Sequence, residues 1–185
     1  MTAVEILSEE HRTILEVIVH LERAANRVEH GDPIDLRAVM EVVDLCDLCV
    51  HQMHVVKEEQ ALFPLLESRG LGREVTVVSA LLAQHQTGGV FLRELRTAAA
   101  RLGEGDSSAR RDFVIWARDY SGLVREHIRI EDHYFYSLAS QALKPADDEA
   151  LQARFARIEG SIRGSGERAR CAALLERLRA MGAGG

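Results

Sequence analysis

The sequence predicts an all-α fold, an up-down-up-down four-helix bundle with one or two short helices added after it. Two observations carry this expectation. Apolar residues recur every three or four positions over long stretches, and helix breakers gather in a few short clusters between those stretches. Pro occurs three times in 185 residues, no stretch alternates with the period of a strand, and Ala, Leu, Glu and Arg are abundant.

The first helix is read from Val4, Leu7, Ile14, Ile18, Leu21, Ala25 and Val28. Gly31 and Asp32 end it, with Pro33 suited to the first turn of the next helix. The second is expected from about Ile34 to Ser68, through Val39, Val43, Val50, Ala61 and Leu65, with Pro64 bending or weakening its last turn. Gly70 to Gly72 break the chain, and a third helix follows over about Arg73 to Leu102. After a turn at Gly103 to Ser108, Asp106 or Ser107 can cap a fourth helix reaching about Leu143, where Lys144-Pro145 stops it. Short turns between long helices favour antiparallel neighbours. The expected division is a bundle over 1–145 and a helical extension over 146–185. That extension carries patches around Leu151, Phe155 and Ile158 and around Ala172, Leu175 and Leu178, separated by Gly160, Gly164 and Gly166, with a frayed end from Met181.

Composition narrows the class of function. Apolar residues make up 46% and charged residues 28%, as in folded globular chains rather than disordered ones. A formal charge of -6 argues against nucleic acid as a partner, because a phosphate backbone needs a basic stripe. The arginines at 125 and 129 are interleaved with acids and read as a solvated face. No apolar run approaches the roughly 20 residues of a membrane-spanning helix. Three cysteines and an acidic start without a signal-peptide core lead to the expectation of a reducing cytoplasm.

The informative pattern is the placement of histidine. His11 lies on the apolar stripe of the first helix and His85 on that of the third. His54 and Glu58 stand four apart on the second helix, and His127 and Glu131 repeat that spacing on the fourth, so each pair projects from one face. The arrangement is an internal repeat: His11 to His54 spans 43 residues and His85 to His127 spans 42. A second acid follows each glutamate, Glu59 and Asp132, and Leu62-Phe63 in one half corresponds to Phe135-Tyr136 in the other. A lone core histidine is usually a hydrogen-bonded interior residue. Four imidazoles and two carboxylates in one core would instead cost several kcal/mol per unpaired charge, and Lys57 is expected to point elsewhere on its helix. Two divalent cations remove that cost, with each glutamate able to bridge them. Imidazole with carboxylate suits iron or manganese, or zinc as a substitute, and a dinuclear centre fits six shared ligands better than a closed tetrahedral zinc site.

The ferritin-like order Glu-x-x-His is reversed here. Glu10-His11-Arg12, His54-Val55-Val56-Lys57-Glu58-Glu59 leading into Leu62-Phe63-Pro64, Gln84-His85 and His127-Ile128-Arg129-Ile130-Glu131-Asp132 resemble the hemerythrin-like HHE cation-binding family. The resemblance covers about Val4 to Leu143. It implies two iron ions with an oxo or hydroxo bridge, ligated by His11, His54, Glu58, His85, His127 and Glu131. Oxygen-carrying hemerythrins place another His four residues after the third-helix ligand, where this chain has Gly89. Their last carboxylate falls at the position of Asp132, but the symmetry of the repeat favours Glu131. A missing imidazole leaves an open iron position near Gly89, with Gly88 adding space.

His51, Tyr120, Glu59 and Asp132 are candidates to support the ligands. His133 and Tyr134 fall off the site-facing stripe, and His20 and His30 read as surface residues. Cys46 and Cys49 form C-x-x-C in mid-helix, without the strand of a thioredoxin-like motif, and read as core packing. The expected ligand is dioxygen, hydrogen peroxide or nitric oxide. The expected function is catalase-like peroxide decomposition or oxidative-stress defence. The alternative is a non-enzymatic sensor or carrier of oxygen, nitric oxide or iron, which the lack of an appended signalling segment disfavours; substrate oxidation or iron delivery is weaker still. The chain is expected to be a monomer, or a homodimer through its C-terminal helices.

Overall fold

In the computed structural model, which describes residues 1–71, 76–161 and 166–182, every regular element among the described residues is helical. Helix α1 spans Ala3–His30. Thr2 opens it with a reciprocal cap: its Oγ1 accepts from the Glu5 N–H at 3.2 Å, and its own N–H donates to Glu5 Oε2 at 2.7 Å. Gly31 closes it at φ 75°, a left-handed conformation that glycine adopts without steric cost.

The second rod is continuous from 36 to 68 but not uniformly α. It runs through α2 (Leu36–Leu45), a wide-turned stretch π1 (Cys46–Val55), a second, π2 (Glu58–Leu62), and α3 (Phe63–Ser68). Asp35 caps it, accepting from the N–H groups of Arg37 and Ala38 at 2.9 and 3.4 Å, so Pro33 lies ahead of the cap and not in the first turn as the sequence suggested. In π2 the Phe63 N–H bonds to the Glu58 carbonyl five residues back. Pro64 therefore falls in the first turn of α3, where an absent N–H costs least, and the expected weak last turn becomes a wide turn ahead of the proline. The Gln60 carbonyl, four residues before Pro64, accepts instead from Arg154 Nη2 at 2.6 Å.

The third rod, α4, covers Thr76–Gly103; the sequence-based break at Gly72 and start at Arg73 lie outside the described residues. Gly105 turns the chain at φ 86°, and Asp106 Oδ1 accepts from the Ser108 N–H and hydroxyl at 2.9 and 2.6 Å. The fourth rod comprises α5 (Ala109–Ile130), π3 (Glu131–Phe135) and α6 (Tyr136–Ala142). Leu143 is extended, and Pro145 opens α7 (Pro145–Ser161), which is followed by α8 (Gly166–Gly182). The last helix extends to Gly182, while 183–185, on which most of the expected fraying falls, and Gly164 lie outside the described residues.

Helix α4 packs along α5, α5 along α1, α1 along α2 and π1, and α2 against α4, closing a helical bundle around a shared interior. The apolar interior is in two parts. One holds Leu7, Leu62, Leu66, Leu81 and Phe135, joined by Leu151 and Phe155 of α7. The other holds Ile14, Ile18, Leu21, Leu45, Leu95 and Phe113, joined by Cys171, Leu174, Leu175 and Leu178 of α8. Each such side chain contributes on the order of 1.5–3 kcal/mol. On α1, His11 falls between the last residue of one part, Leu7, and the first of the other, Ile14. Among the described residues no helix is long and apolar enough to cross a membrane.

Candidate metal centre

The polar residues that divide the core are the six singled out by the repeat. His11, His54, Glu58, His85, His127 and Glu131 are all buried, the two glutamates completely. Four separate rods deliver them, and each glutamate begins a wide turn, Glu58 at π2 and Glu131 at π3. A wide turn inserts an extra residue into the helical register, which re-aims the side chains after it. Proline is not its cause, because π3 forms without one.

The imidazoles meet in two pairs with matching geometry. His11 Nε2 lies 3.1 Å from His54 Nε2, and His85 Nε2 lies 3.1 Å from His127 Nε2. Their other nitrogens are held by side chains of neighbouring rods. His11 Nδ1 bonds Asp132 Oδ1 at 2.8 Å and His85 Nδ1 bonds Glu59 Oε1 at 2.8 Å. His54 Nδ1 bonds Glu10 Oε2 at 3.1 Å and His127 Nδ1 bonds Gln84 Oε1 at 2.9 Å. With each Nδ1–H donating outward, the Nε2 lone pairs face inward.

The carboxylates sit between the pairs. Glu131 approaches His11 and His127 Nε2 at 3.1 Å each, and Glu58 approaches His85 and His54 Nε2 at 3.3 and 3.7 Å. Glu58 Oε2 and both oxygens of Glu131 are buried without a hydrogen-bond partner. Ligand atoms of Glu58, His85, His127 and Glu131 lie within 4.8 Å of one another, as do those of His11, His54 and Glu131. Lone pairs facing lone pairs beside orphaned carboxylate oxygens would be strongly unfavourable alone, and a bound cation satisfies them together. Each of these two groups, which have Glu131 in common, could hold a metal ion.

Electrostatics agree with a site built for positive charge. Burial works against protonating His54, but Glu58, Glu10 and Glu131 outweigh it and raise the imidazole to about 10. Burial likewise opposes protonation of His85, and Glu58 and Glu59 raise it to about 9. Glu131 is held well below its usual range despite burial, by His127 and His11. Without metal, protons take the place of the cations.

These side chains and this family are one finding. The model of the hemerythrin HHE cation-binding domain matches residues 2–139. The chain belongs to the hemerythrin HHE cation-binding family. Uncharacterized proteins of Mycobacterium tuberculosis, strain H37Rv, and of Mycobacterium bovis are each 27% identical over 132 residues, which is 71% of this chain. The matched stretch is 51% of each relative, so this chain corresponds to about half the length of the curated proteins it resembles.

The HHE centre departs from its internal symmetry at a few positions. Tyr136 replaces what is Phe63 in the other half; its hydroxyl donates to Glu58 Oε1 at 2.8 Å and lies 3.3 Å from His11 Nε2. Burial, with Glu131 and Glu58, keeps that phenol protonated. Phe63 stacks on His85, ring centroids 6.0 Å apart, as Tyr136 stacks on His11 at 5.3 Å. Lys57, expected to point elsewhere, does face away from the glutamates, yet it is fully buried. It ion-pairs with Glu10 and, at 2.6 Å, with Glu159 of α7, linking α7 to His54 through Glu10. Sequence reasoning did not assign Glu10, Gln84, Lys57 or Tyr136 a role. A signal existed for the first two, since each immediately precedes a single histidine, but each bonds the histidine of another rod.

The other candidates divide. Glu59 and Asp132 support ligand histidines, whereas His51 and Tyr120 bond each other, Tyr120 hydroxyl to His51 Nε2 at 3.2 Å. Burial lowers His51 to about 4, leaving it a neutral acceptor. Both line a cavity of about 20 Å³ beside His54, His85 and His127, with Ile14, Val124 and Ile128 also in its wall. Gly88 lines it, and a Cβ there would meet His51 Cε1 at 3.4 Å; one at Gly89 would meet only Arg93 Nη1, at 3.9 Å. Of the two glycines, Gly88 lines this cavity.

Proposed function

We propose that this chain, in an up-down-up-down four-helix arrangement over 1–145, holds two iron ions with His11, His54, Glu58, His85, His127 and Glu131. The centre takes a small oxygen-derived ligand, and decomposition of hydrogen peroxide is the reading favoured. The observation that carries this is the cavity of about 20 Å³ bounded by three of the four histidines. That is room for about one water-sized molecule, so dioxygen, peroxide or nitric oxide fits and an organic substrate does not.

Iron bound here supplies Lewis acidity and one-electron redox chemistry. The chain's own groups divide the remaining work. Asp132, Glu59, Glu10 and Gln84 fix the four imidazole tautomers. Tyr136 donates to Glu58 Oε1 at 2.8 Å and so holds that carboxylate in place. Tyr120 and His51 add hydrogen-bonding groups to the wall of the cavity. Ile14, Val124 and Ile128 keep bulk water out.

The test is metal content and the optical spectrum of protein prepared with ample iron, followed by hydrogen peroxide. About two irons per chain, a ferric charge-transfer band and oxygen evolution are expected. No stoichiometric metal would overturn the ligand assignment. Two irons without turnover would leave binding or sensing, which the path from His54 through Glu10 and Lys57 to Glu159 of α7 favours as the second reading. That path gives metal occupancy a way to affect the C-terminal helices.

A further inference from the structure

Away from the centre, the C-terminal helix is attached to the bundle at a pair of sulfurs. Cys49 Sγ on π1 and Cys171 Sγ on α8 lie 2.8 Å apart although the residues are 122 positions apart in the chain. All three cysteines are free thiols. We propose that Cys49 and Cys171 form a reversible intramolecular disulfide when a hydroperoxide oxidises them, locking α8 onto the rod that carries His51 and His54.

Position makes the pair suited to this chemistry. The two thiols are 6% and 7% exposed, at the margin of the core, whereas Cys46 one turn earlier is fully buried. Burial pushes the Cys46 thiol far up, so it stays protonated and inert. Within the pair the shared hydrogen bond splits the two thiols: it raises Cys49, with burial adding to it, and lowers Cys171 against burial. Cys171 is thus the thiol that ionises and attacks, and Cys49 the one that resolves.

Access follows from how α8 is held. Its inward face carries Cys171, Leu174, Leu175 and Leu178, and its outer ties include the ion pairs of Arg170 with Asp44 at 3.4 Å, Arg177 with Glu41, and Arg179 with Glu16 at 2.7 Å. Exposed ion pairs of this kind contribute little. A helix with so small an apolar footing opens more readily than the rods of the bundle, and opening presents both sulfurs to solvent.

The step balances as two thiols oxidised and one peroxide reduced. The Cys171 thiolate attacks one peroxide oxygen, the O–O bond breaks, and the other oxygen leaves as water or an alcohol after taking a proton. The resulting sulfenic acid is attacked by Cys49, whose proton leaves with the displaced hydroxide as water. Two electrons pass from sulfur to oxygen, and an external thiol restores the pair. Neither step uses the metal centre, and an organic hydroperoxide, too large for the cavity of about 20 Å³ there, reports on the thiols whatever becomes of the function proposed above.

The reduced protein is treated with one equivalent of cumene hydroperoxide, which is too large for the cavity at the centre, then unfolded and alkylated. The expected product has one alkylated thiol, Cys46, and a digest containing a peptide pair joined through Cys49 and Cys171. The melting midpoint should rise on the order of 10 °C on oxidation, because the cross-link closes a long loop. Cys46→Ser should keep both effects, and Cys171→Ser and Cys49→Ser should lose both. Three alkylated thiols after peroxide, a cross-link involving Cys46, or only dimers between chains would overturn the proposal. The peptide map on unsubstituted protein decides it even if a variant does not fold.

Discussion

At the scale of single residues, this site depends on which nitrogen of each histidine is committed elsewhere. Asp132 and Glu59 accept from His11 and His85 at 2.8 Å and so leave Nε2 free to face inward. Replacing either by its amide keeps the shape but removes the charge that strengthens the ligand. Asp132→Asn and Glu59→Gln should each weaken metal affinity roughly 10–100-fold while leaving helix content unchanged. Competition against a chelator of known affinity measures this, and unchanged affinity in both would show that these acids do not support the ligands. Glu131 and Asp132 also show why adjacent acids had to be weighed. The family pattern pointed to Asp132 and the repeat to Glu131, and the structure places the Glu131 carboxylate between the imidazole pairs and the Asp132 carboxylate behind one of them.

At the scale of elements, α7 does more than cover the end of the bundle. Its Phe155 enters the core, its Arg154 satisfies the carbonyl left over at Pro64, and its Glu159 neutralises the buried ammonium of Lys57. Lys57 retains Glu10 as a partner when Glu159 is changed, so the cost is partial. Glu159→Gln should lower stability by ~1–2 kcal/mol. A fall of about 3–6 °C in melting midpoint follows for a chain of this size, and no fall would mean that Lys57 is balanced by Glu10 alone. The wide turns π2 and π3 act at the same scale. Both begin at a glutamate of the centre, and no residue type in common marks them beyond that glutamate and the acid after it. They arise where the register is shifted by one residue.

At the scale of the whole molecule, the buried cluster couples folding to both protons and metal. In the metal-free protein His54 and His85 are raised from an ordinary 6.5 to about 10 and about 9. The native chain then binds more protons than the unfolded one above pH 6.5. This contribution to stability is complete below that pH and is lost as pH rises through about 9 to 10. The metal-free melting midpoint should therefore fall steadily between pH 7 and 10, while metal binding, which displaces those protons, should tighten over the same window. Calorimetry of both forms across that range checks it; a metal-free midpoint that rises with pH would contradict the placement of the carboxylates around these histidines.

Residue order by itself determined the helical class and the six polar positions. Periodicity of three to four records which face of a helix is buried, and a histidine or glutamate on that face is costly enough to stand out. The repeat of His11, His54 and Glu58 in His85, His127 and Glu131 doubled that signal, and it also carried the resemblance to the HHE family. The rest depended on which rod lies beside which. Glu10 supports His54 and not its neighbour His11, Gly88 and not Gly89 lines the cavity, and Cys49 meets Cys171 across 122 residues. Each is a contact between segments distant in sequence. Local spacing fixes a side chain's direction on its own helix but not what the next helix sets opposite it, and only packing decides that.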